Sequence, residues 1–327
     1  MSMRTGLTFG IYPLSAAGTP TGLATGPEDV YAKVRQAVDD LRGEQEQLVP
    51  RNYFVYAGPA SEKGNFARGD ALQGHGLMGD LVIGSMQESG FHMEEWLDFV
   101  RKVIERYGTS MRSLQITNEP NLSFMEGARP YTQQALIRGV LAAKEEANKL
   151  QLQLPIGFGS VPDGPVAVPN FWDSLGEQGG DTFINCLDFV GHNFYIDVFD
   201  EEPLEIEEIS EAVERTLTKL REEDMMKAGI PRNVAIRVTE NGWPTGRNPF
   251  TQLVRTEERQ TMILEALIRK VYELRDQLNI SHYALFGLRD ADSNQEDLFH
   301  HFGIMRDDYT PKPAYAKFKE LVQELSR

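Results

Sequence analysis

Eight short, almost wholly apolar runs, most of them followed by a stretch of helical periodicity, constrain this chain more than any other feature. They cover residues 7–12, 53–57, 81–85, 114–117, 156–159, 189–195, 234–239 and 283–288. Runs of this length and composition suit parallel strands buried on both faces. Between them, apolar residues recur at helical spacing. Val30, Val34, Ala37, Val38 and Leu41 mark one face; Trp96, Phe99, Val100, Val103, Ile104 and Tyr107 mark another, ending at Gly108. Residues 131–150, 209–226 and 256–278 read as long helices, and Pro313 stands where a first helical turn accepts proline. Strands interleaved with helices predict an α/β fold, a single (β/α)8 barrel, and 327 residues suit one such domain over positions 1–327. A doubly wound open sheet is the alternative, but Ile11-Tyr12-Pro13-Leu14 occupies the place of its glycine-rich phosphate loop. Residues 58–80 interrupt the pattern. Six glycines (58, 64, 69, 74, 76 and 79) and little periodicity predict a second helix that is short, irregular or replaced by a loop.

Charge and cysteine content narrow the function. Lys and Arg number 33 against 49 Asp and Glu, a net charge of −16. That balance argues against a general nucleic-acid or anionic-membrane binder, whose partners need basic surface, and suits a neutral substrate. Cys186 is the only cysteine, so neither an internal disulfide nor a thiolate metal cluster is available. Residues 1–10 show no apolar leader stretch, and no run is long enough to span a membrane, which points to a cytoplasmic setting, or to secretion where a leader has been removed. The acidic stretch Asp200-Glu201-Glu202 with Glu205, Glu207 and Glu208 lacks calcium-loop spacing and reads as a solvated loop and helix start. His300 and His301 are adjacent and so do not converge as ligands; no His-x-His, His-Glu-x-x-His or Gly-x-Ser-x-Gly occurs. No metal or organic cofactor is expected. The sequence carries no signature of a particular oligomeric state.

The chemical signal lies in two glutamates at strand ends. Thr117-Asn118-Glu119-Pro120-Asn121 ends the fourth run and Val238-Thr239-Glu240-Asn241-Gly242-Trp243-Pro244 ends the seventh. Both segments pass from apolar strand into polar loop, and barrel active sites are built at the carboxyl ends of strands. The glutamates are 121 residues apart, a separation that barrel closure can span. Glycoside hydrolysis needs such a pair: one carboxylic acid protonates the leaving oxygen, and an ionised carboxylate attacks the anomeric carbon or activates water. Their environments must hold them in different protonation states at one pH.

Asn118-Glu119-Pro120 together with Glu240 resembles clan A of the glycoside hydrolases, the retaining (β/α)8 enzymes. Asn118-Glu119-Pro120-Asn121 is similar to the strand-four motif of the β-xylosidase and iduronidase family; Thr239-Glu240-Asn241-Gly242 is similar to the nucleophile motif of the β-glucosidase family. Residues 187–195, ending His192-Asn193-Phe194-Tyr195, resemble the sixth strand of the latter. The resemblance implies Glu119 as acid/base, Glu240 as nucleophile, Asn118 as a contact to the sugar 2-hydroxyl and Tyr195 as a hydrogen-bond donor to the nucleophile. His192 and Asn193, at the same strand end, are candidate substrate contacts. The resemblance also implies an arginine on strand two touching the nucleophile, for which Arg51 is the candidate. The clan usually has a tryptophan after strand eight. Here that region reads Ala284-Leu285-Phe286-Gly287-Leu288-Arg289-Asp290-Ala291-Asp292, so Phe286, or Trp243 from strand seven, is expected to supply the aromatic sugar platform. Trp96 and Trp172 fall in helical patterns and are expected in the core.

The expected function is therefore retaining hydrolysis of a neutral β-linked glycoside or longer glycan. Transglycosylation on the same site, a non-catalytic carbohydrate-binding barrel and a metal-dependent lyase or isomerase are the alternatives.

Overall fold

The computed structural model describes residues 6–19, 22–43, 48–200 and 203–326. The barrel strands are β1 Thr8–Ile11, β2 Leu48–Tyr56, β3 Asp80–Ser85, β4 Ser113–Ile116, β5 Ile156–Phe158, β6 Phe189–Asn193, β7 Ala235–Asn241 and β8 Ile280–Leu285. They close a barrel in the order β1-β8-β7-β6-β5-β4-β3-β2. Pairing is parallel, with Phe9 opposite Tyr283 and Leu48, Arg51 opposite Asp80, and Leu114 opposite Ile156. The longer helices are α1 Tyr31–Arg42, α2 Pro59–Gly74, α3 Met93–Tyr107, α4 Thr132–Lys149, α5 Phe171–Ile184, α6 Ile206–Lys219, α7 Glu257–Leu278 and α8 Pro313–Leu325. None of the described helices is long and apolar enough to cross a membrane.

β8 begins at Ile280 rather than at residue 283, and the helix expected over 209–226 runs as α6 to Lys219 and continues as a π-helical turn, Leu220–Asp224; two other elements differ more. β2 begins at Leu48 rather than at residue 53, because Pro50, Arg51 and Asn52 belong to it and are all buried. Polar side chains hid them. Arg51 Nε donates to Tyr53 Oη at 2.8 Å and Nη2 to Gln115 Oε1 at 3.1 Å, and Asn52 Nδ2 donates to the Leu77 carbonyl at 2.8 Å. The segment after β2 is a regular helix, α2, not a loop. Pro59 opens it, where a missing N–H costs nothing. It buries only Asn65, Gly69 and Leu72, so no apolar stripe marks it in the sequence. A Cβ at Gly69 would lie 2.5 Å from the Tyr107 ring and 2.7 Å from Phe54, so glycine is what lets α2 lie this close. Asn65 ties the helix to β2, donating to the Val55 carbonyl and accepting from its amide.

The chain forms two compact units. One comprises Arg51–Asn193 and Thr218–Arg237. Its core is aromatic: Tyr56, Phe66, Trp96, Phe99 and Tyr107 pack with ring centroids 5.1–6.3 Å apart. Trp96 is fully buried and donates to the Ala135 carbonyl at 2.9 Å. Gly139 lets α4 approach it: a Cβ there would be 2.9 Å from Ile116 and 3.2 Å from Trp96 Nε1. Trp172 is buried against Phe158 and Phe171.

The other unit comprises Met1–Pro50, Phe194–Leu217 and Val238–Arg327. Phe9 packs edge-on against Tyr283 and against Phe318 of α8. Thr256 caps α7 by accepting the Arg259 amide, with Glu257 and Glu258 in the first turn, where the helix dipole favours negative charge. Lys312, just before α8, is buried and paired with buried Asp290 at 2.8 Å. Glu201 and Glu202 of the acidic stretch lie outside the described residues; beyond them, Glu207 and Glu208 fill the first turn of α6.

Candidate active site

The fourth strand ends abruptly. Thr117 takes a left-handed backbone, φ 64°, which a β-branched residue avoids. Its amide still donates to Ile83 on the neighbouring strand, and Gln115 Nε2 holds its carbonyl at 2.9 Å. The turn lifts Asn118 and Glu119 off the strand, leaving both half-buried. A Cβ at Gly159, after β5, would lie 2.0 Å from the Asn118 carbonyl, so glycine makes room for it. Asn193, at the end of β6, is buried, and its Nδ2 donates to Glu119 Oε1 at 3.1 Å and to Asn118 Oδ1 at 3.2 Å. One amide thus orients both side chains.

Beneath this turn sits Glu126, which is only 4% exposed. Its Oε2 accepts the backbone amides of Asn118 at 2.5 Å and Glu119 at 3.0 Å. Burial pushes its carboxyl up to about 7, while the amides of Asn118, Glu119 and Ser85 act to lower it. Thr132 Oγ1, at the start of α4, donates to its carbonyl at 2.6 Å.

The seventh strand carries the second glutamate. β7 runs through Asn241, so Glu240 is still within the strand and 7% exposed. Tyr195 Oη donates to Glu240 Oε2 at 3.0 Å. The backbone locks the same pair of segments, since the Phe194 amide donates to the Glu240 carbonyl and Asn241 Nδ2 donates to the Phe194 carbonyl. Asn241 Oδ1 accepts Tyr283 Oη at 2.8 Å, and its carbonyl accepts the Phe286 amide. A Cβ at Gly242 would stand 1.9 Å from the Phe286 carbonyl oxygen, so glycine is obligatory there. The Thr-Glu-Asn-Gly motif is thus largely a packing solution that fixes one carboxylate.

Aromatic rings surround this glutamate's partner. Phe286 stacks on Tyr12 with centroids 4.8 Å apart and stands edge-on to Tyr195 and Phe302. It is half-buried and joined to Gly287 by a cis peptide bond. On the far side Tyr195 meets Phe199, which stacks on Phe299, and Phe299 meets Phe250. Phe199 and Phe250 are 47% and 65% exposed, an apolar surface continuous with the Tyr195 ring.

Three of the sequence-predicted substrate contacts are buried elsewhere. Trp243 is 1% exposed, under its loop, with the Arg255 and Arg259 guanidinium groups 5.1 and 5.8 Å from its ring and its carbonyl accepting from Gln260. It offers no face to a sugar. His192 is 1% exposed, with Nδ1 2.9 Å from Ser160 Oγ, and burial lowers it to about 3, so it is neutral. Arg51 faces Asp80, the first residue of β3, toward the amino end of the strands, and its guanidinium is engaged by Tyr53 and Gln115. Two residues were missed. Tyr12 falls in the first apolar run, and Glu126 in no motif; no spacing in the sequence links Glu126 to residues 118 and 119.

No family model and no curated protein matches the chain. Solved structures do. A β-glucuronidase from Ruminococcus gnavus in complex with D-glucaro 1,5-lactone superposes with a TM-score of 0.57 at 14% identity, covering 97% of this chain and 50% of that one. The β-D-glucuronidase of Dictyoglomus thermophilum gives 0.57 at 14%, covering 98% and 51%. A glycoside hydrolase family 17 β-1,3-glucanosyltransferase from Rhizomucor miehei gives 0.57 at 14%, covering 94% of this chain and 96% of that one. The chain spans about half the length of the β-glucuronidases it matches and nearly all of the glucanosyltransferase. At this identity the likeness is one of fold: the chain is built on the (β/α)8 barrel that these glycoside hydrolases share.

Proposed function

We propose that the chain is a retaining β-glycosidase working through Glu240 and Glu119. One observation carries the reading. Asn193 and Tyr195, two positions apart, each donate a hydrogen bond to one of the two glutamates, at 3.1 and 3.0 Å. Strand ends in a closed parallel barrel open on one end, where active sites are built. A retaining mechanism requires of such a pair a separation of about 5–5.5 Å between the carboxyl groups.

Glu240, ionised, attacks the anomeric carbon as the bond to the leaving oxygen breaks. Glu119 gives its proton to that oxygen, and a glycosyl ester forms on Glu240. Glu119 then takes a proton from water, which attacks the same carbon and releases Glu240, so two inversions retain configuration. Tyr195 stabilises the ionised Glu240 by donating to it. Asn118 holds the 2-hydroxyl, and the half-buried face of Phe286 replaces the tryptophan platform. The exposed ring of Phe199 beside Tyr195, with exposed Phe250 joined to it through Phe299, favours a second reading, in which a sugar acceptor replaces water and the chain transfers glycosyl groups.

The test is a panel of aryl β-glycosides of mono- and disaccharides, with wild type, Glu240→Ala and Glu119→Ala. Loss of activity by orders of magnitude in Glu240→Ala, regained with azide as an α-glycosyl azide, supports the mechanism. Chromatography of the products at high acceptor sugar separates hydrolysis from transfer. Equal turnover in wild type and Glu240→Ala would remove Glu240 as nucleophile.

A further inference from the structure

A carboxylate buried behind a proposed acid/base needs a reason to be there. Glu126 points at the backbone of the two residues read as 2-hydroxyl contact and acid/base. Its Oε2 takes two amides at once, those of Asn118 and Glu119. Those residues follow Thr117, whose left-handed backbone is unfavourable for its side chain and persists only where surrounding groups hold it. From the opposite side Asn193 holds the two side chains. Glu119 is therefore fixed at two points, by the Glu126 carboxylate that accepts its backbone amide and by the Asn193 amide that donates to its carboxylate. The neighbouring strand makes room for this arrangement. Glu126 Oε1 is buried, and a Cβ at Gly84 would lie 2.1 Å from it.

We propose that Glu126 is a positioning residue for general acid catalysis: it aims Glu119 at the glycosidic oxygen by clamping the Asn118 and Glu119 amides, and Gly84 provides the space it occupies. The inference rests on the reading of Glu119 as acid/base. The clamp needs an acceptor oxygen rather than a charge. A protonated Glu126 with its hydrogen on Oε1 still presents Oε2 to both amides, and a glutamine presents its carbonyl oxygen in the same place.

General acid help matters in proportion to how poor the leaving group is, and this separates positioning from mere support. The experiment measures kcat/KM of the full chain on 2,4-dinitrophenyl, 4-nitrophenyl and phenyl glycosides of the glycone that wild type cleaves fastest. The variants are Glu126→Ala, Glu126→Gln, Gly84→Ala and Glu119→Ala, each checked for folding by circular dichroism and thermal unfolding. The expected result for Glu126→Ala is a loss on the order of 10- to 100-fold on the phenyl glycoside, and under about 3-fold on the dinitrophenyl glycoside. Gly84→Ala, which displaces the same carboxylate from the other side, follows the same slope. Glu126→Gln stays within about 3-fold of wild type on all three. A loss in Glu126→Ala that is the same for every leaving group, or no loss, overturns the proposal while leaving Glu119 its role. Absence of a leaving-group slope in Glu119→Ala, or no cleavage of any glycoside by wild type, overturns both.

Discussion

Glu126 should make the stability of this protein depend on pH in a way that one substitution removes. Burial raises its carboxyl from the ordinary 4.5 to about 7 in the folded chain, against the opposing pull of three backbone amides. The folded state then holds a proton that the unfolded state has released between those two values. Stability is full below the unfolded value and is lost as pH rises through the folded one. The interval spans about 2.5 pH units, and at about 1.4 kcal/mol per unit the loss is roughly 3 kcal/mol. For 327 residues that corresponds to about 4–5 °C in Tm. Glu126→Gln has the same shape and no titration. Wild type and Glu126→Gln are to be unfolded in urea at half-unit steps from pH 4 to 8.5, and the two stabilities subtracted. Subtraction cancels the other carboxylates of this acidic chain along with any constant cost of the amide. The difference should move in favour of the variant by roughly 3 kcal/mol between pH 4.5 and 7, and be flat outside that interval. A difference independent of pH would refute the account of Glu126 as a buried carboxyl whose charged form is penalised.

Other outcomes follow from the same structure. Tyr195→Phe removes the 3.0 Å bond to Glu240; with an ionised acceptor it is worth about 1.5–3 kcal/mol, so kcat/KM should fall about 10- to 100-fold with Tm nearly unchanged. Trp243→Ala should cost about 3–5 kcal/mol of stability in urea unfolding, as a fully buried ring does, whereas Phe286→Ala should act chiefly on KM, the opposite of what a sugar-stacking Trp243 would give. His192, neutral and held by Ser160, should show no imidazole titration by NMR between pH 5 and 8; a midpoint near 6.5 would place it in solvent.

Composition and periodicity made the barrel legible because buried parallel strands are apolar on both faces and leave short, dense runs. They failed where the barrel lining is polar. Arg51 and Asn52 belong to β2 yet fall outside its apolar run, because polar groups satisfy them: Tyr53 two residues on and Gln115 of β4 for Arg51, and the Leu77 carbonyl before β3 for Asn52. They failed again at α2, whose close approach to Tyr107 and Phe54 rests on the missing side chain of Gly69 rather than on an apolar stripe.

The candidate site divides along the same line. Glu119, Glu240, Asn193 and Tyr195 were legible because each sits where a strand passes into a polar loop, with neighbours of the right kind in the right order. Whether an aromatic faces solvent was not legible: Trp243 and Phe286 both follow strand ends, and only packing put one beneath two arginines and left the other half-open. Glu126 was invisible for a simpler reason. The sequence by itself determined which residues line the strand ends and so which chemistry is on offer. Only the tertiary structure decided which backbone a buried carboxylate holds, because a hydrogen bond to an amide carries no signature of the residue that owns that amide.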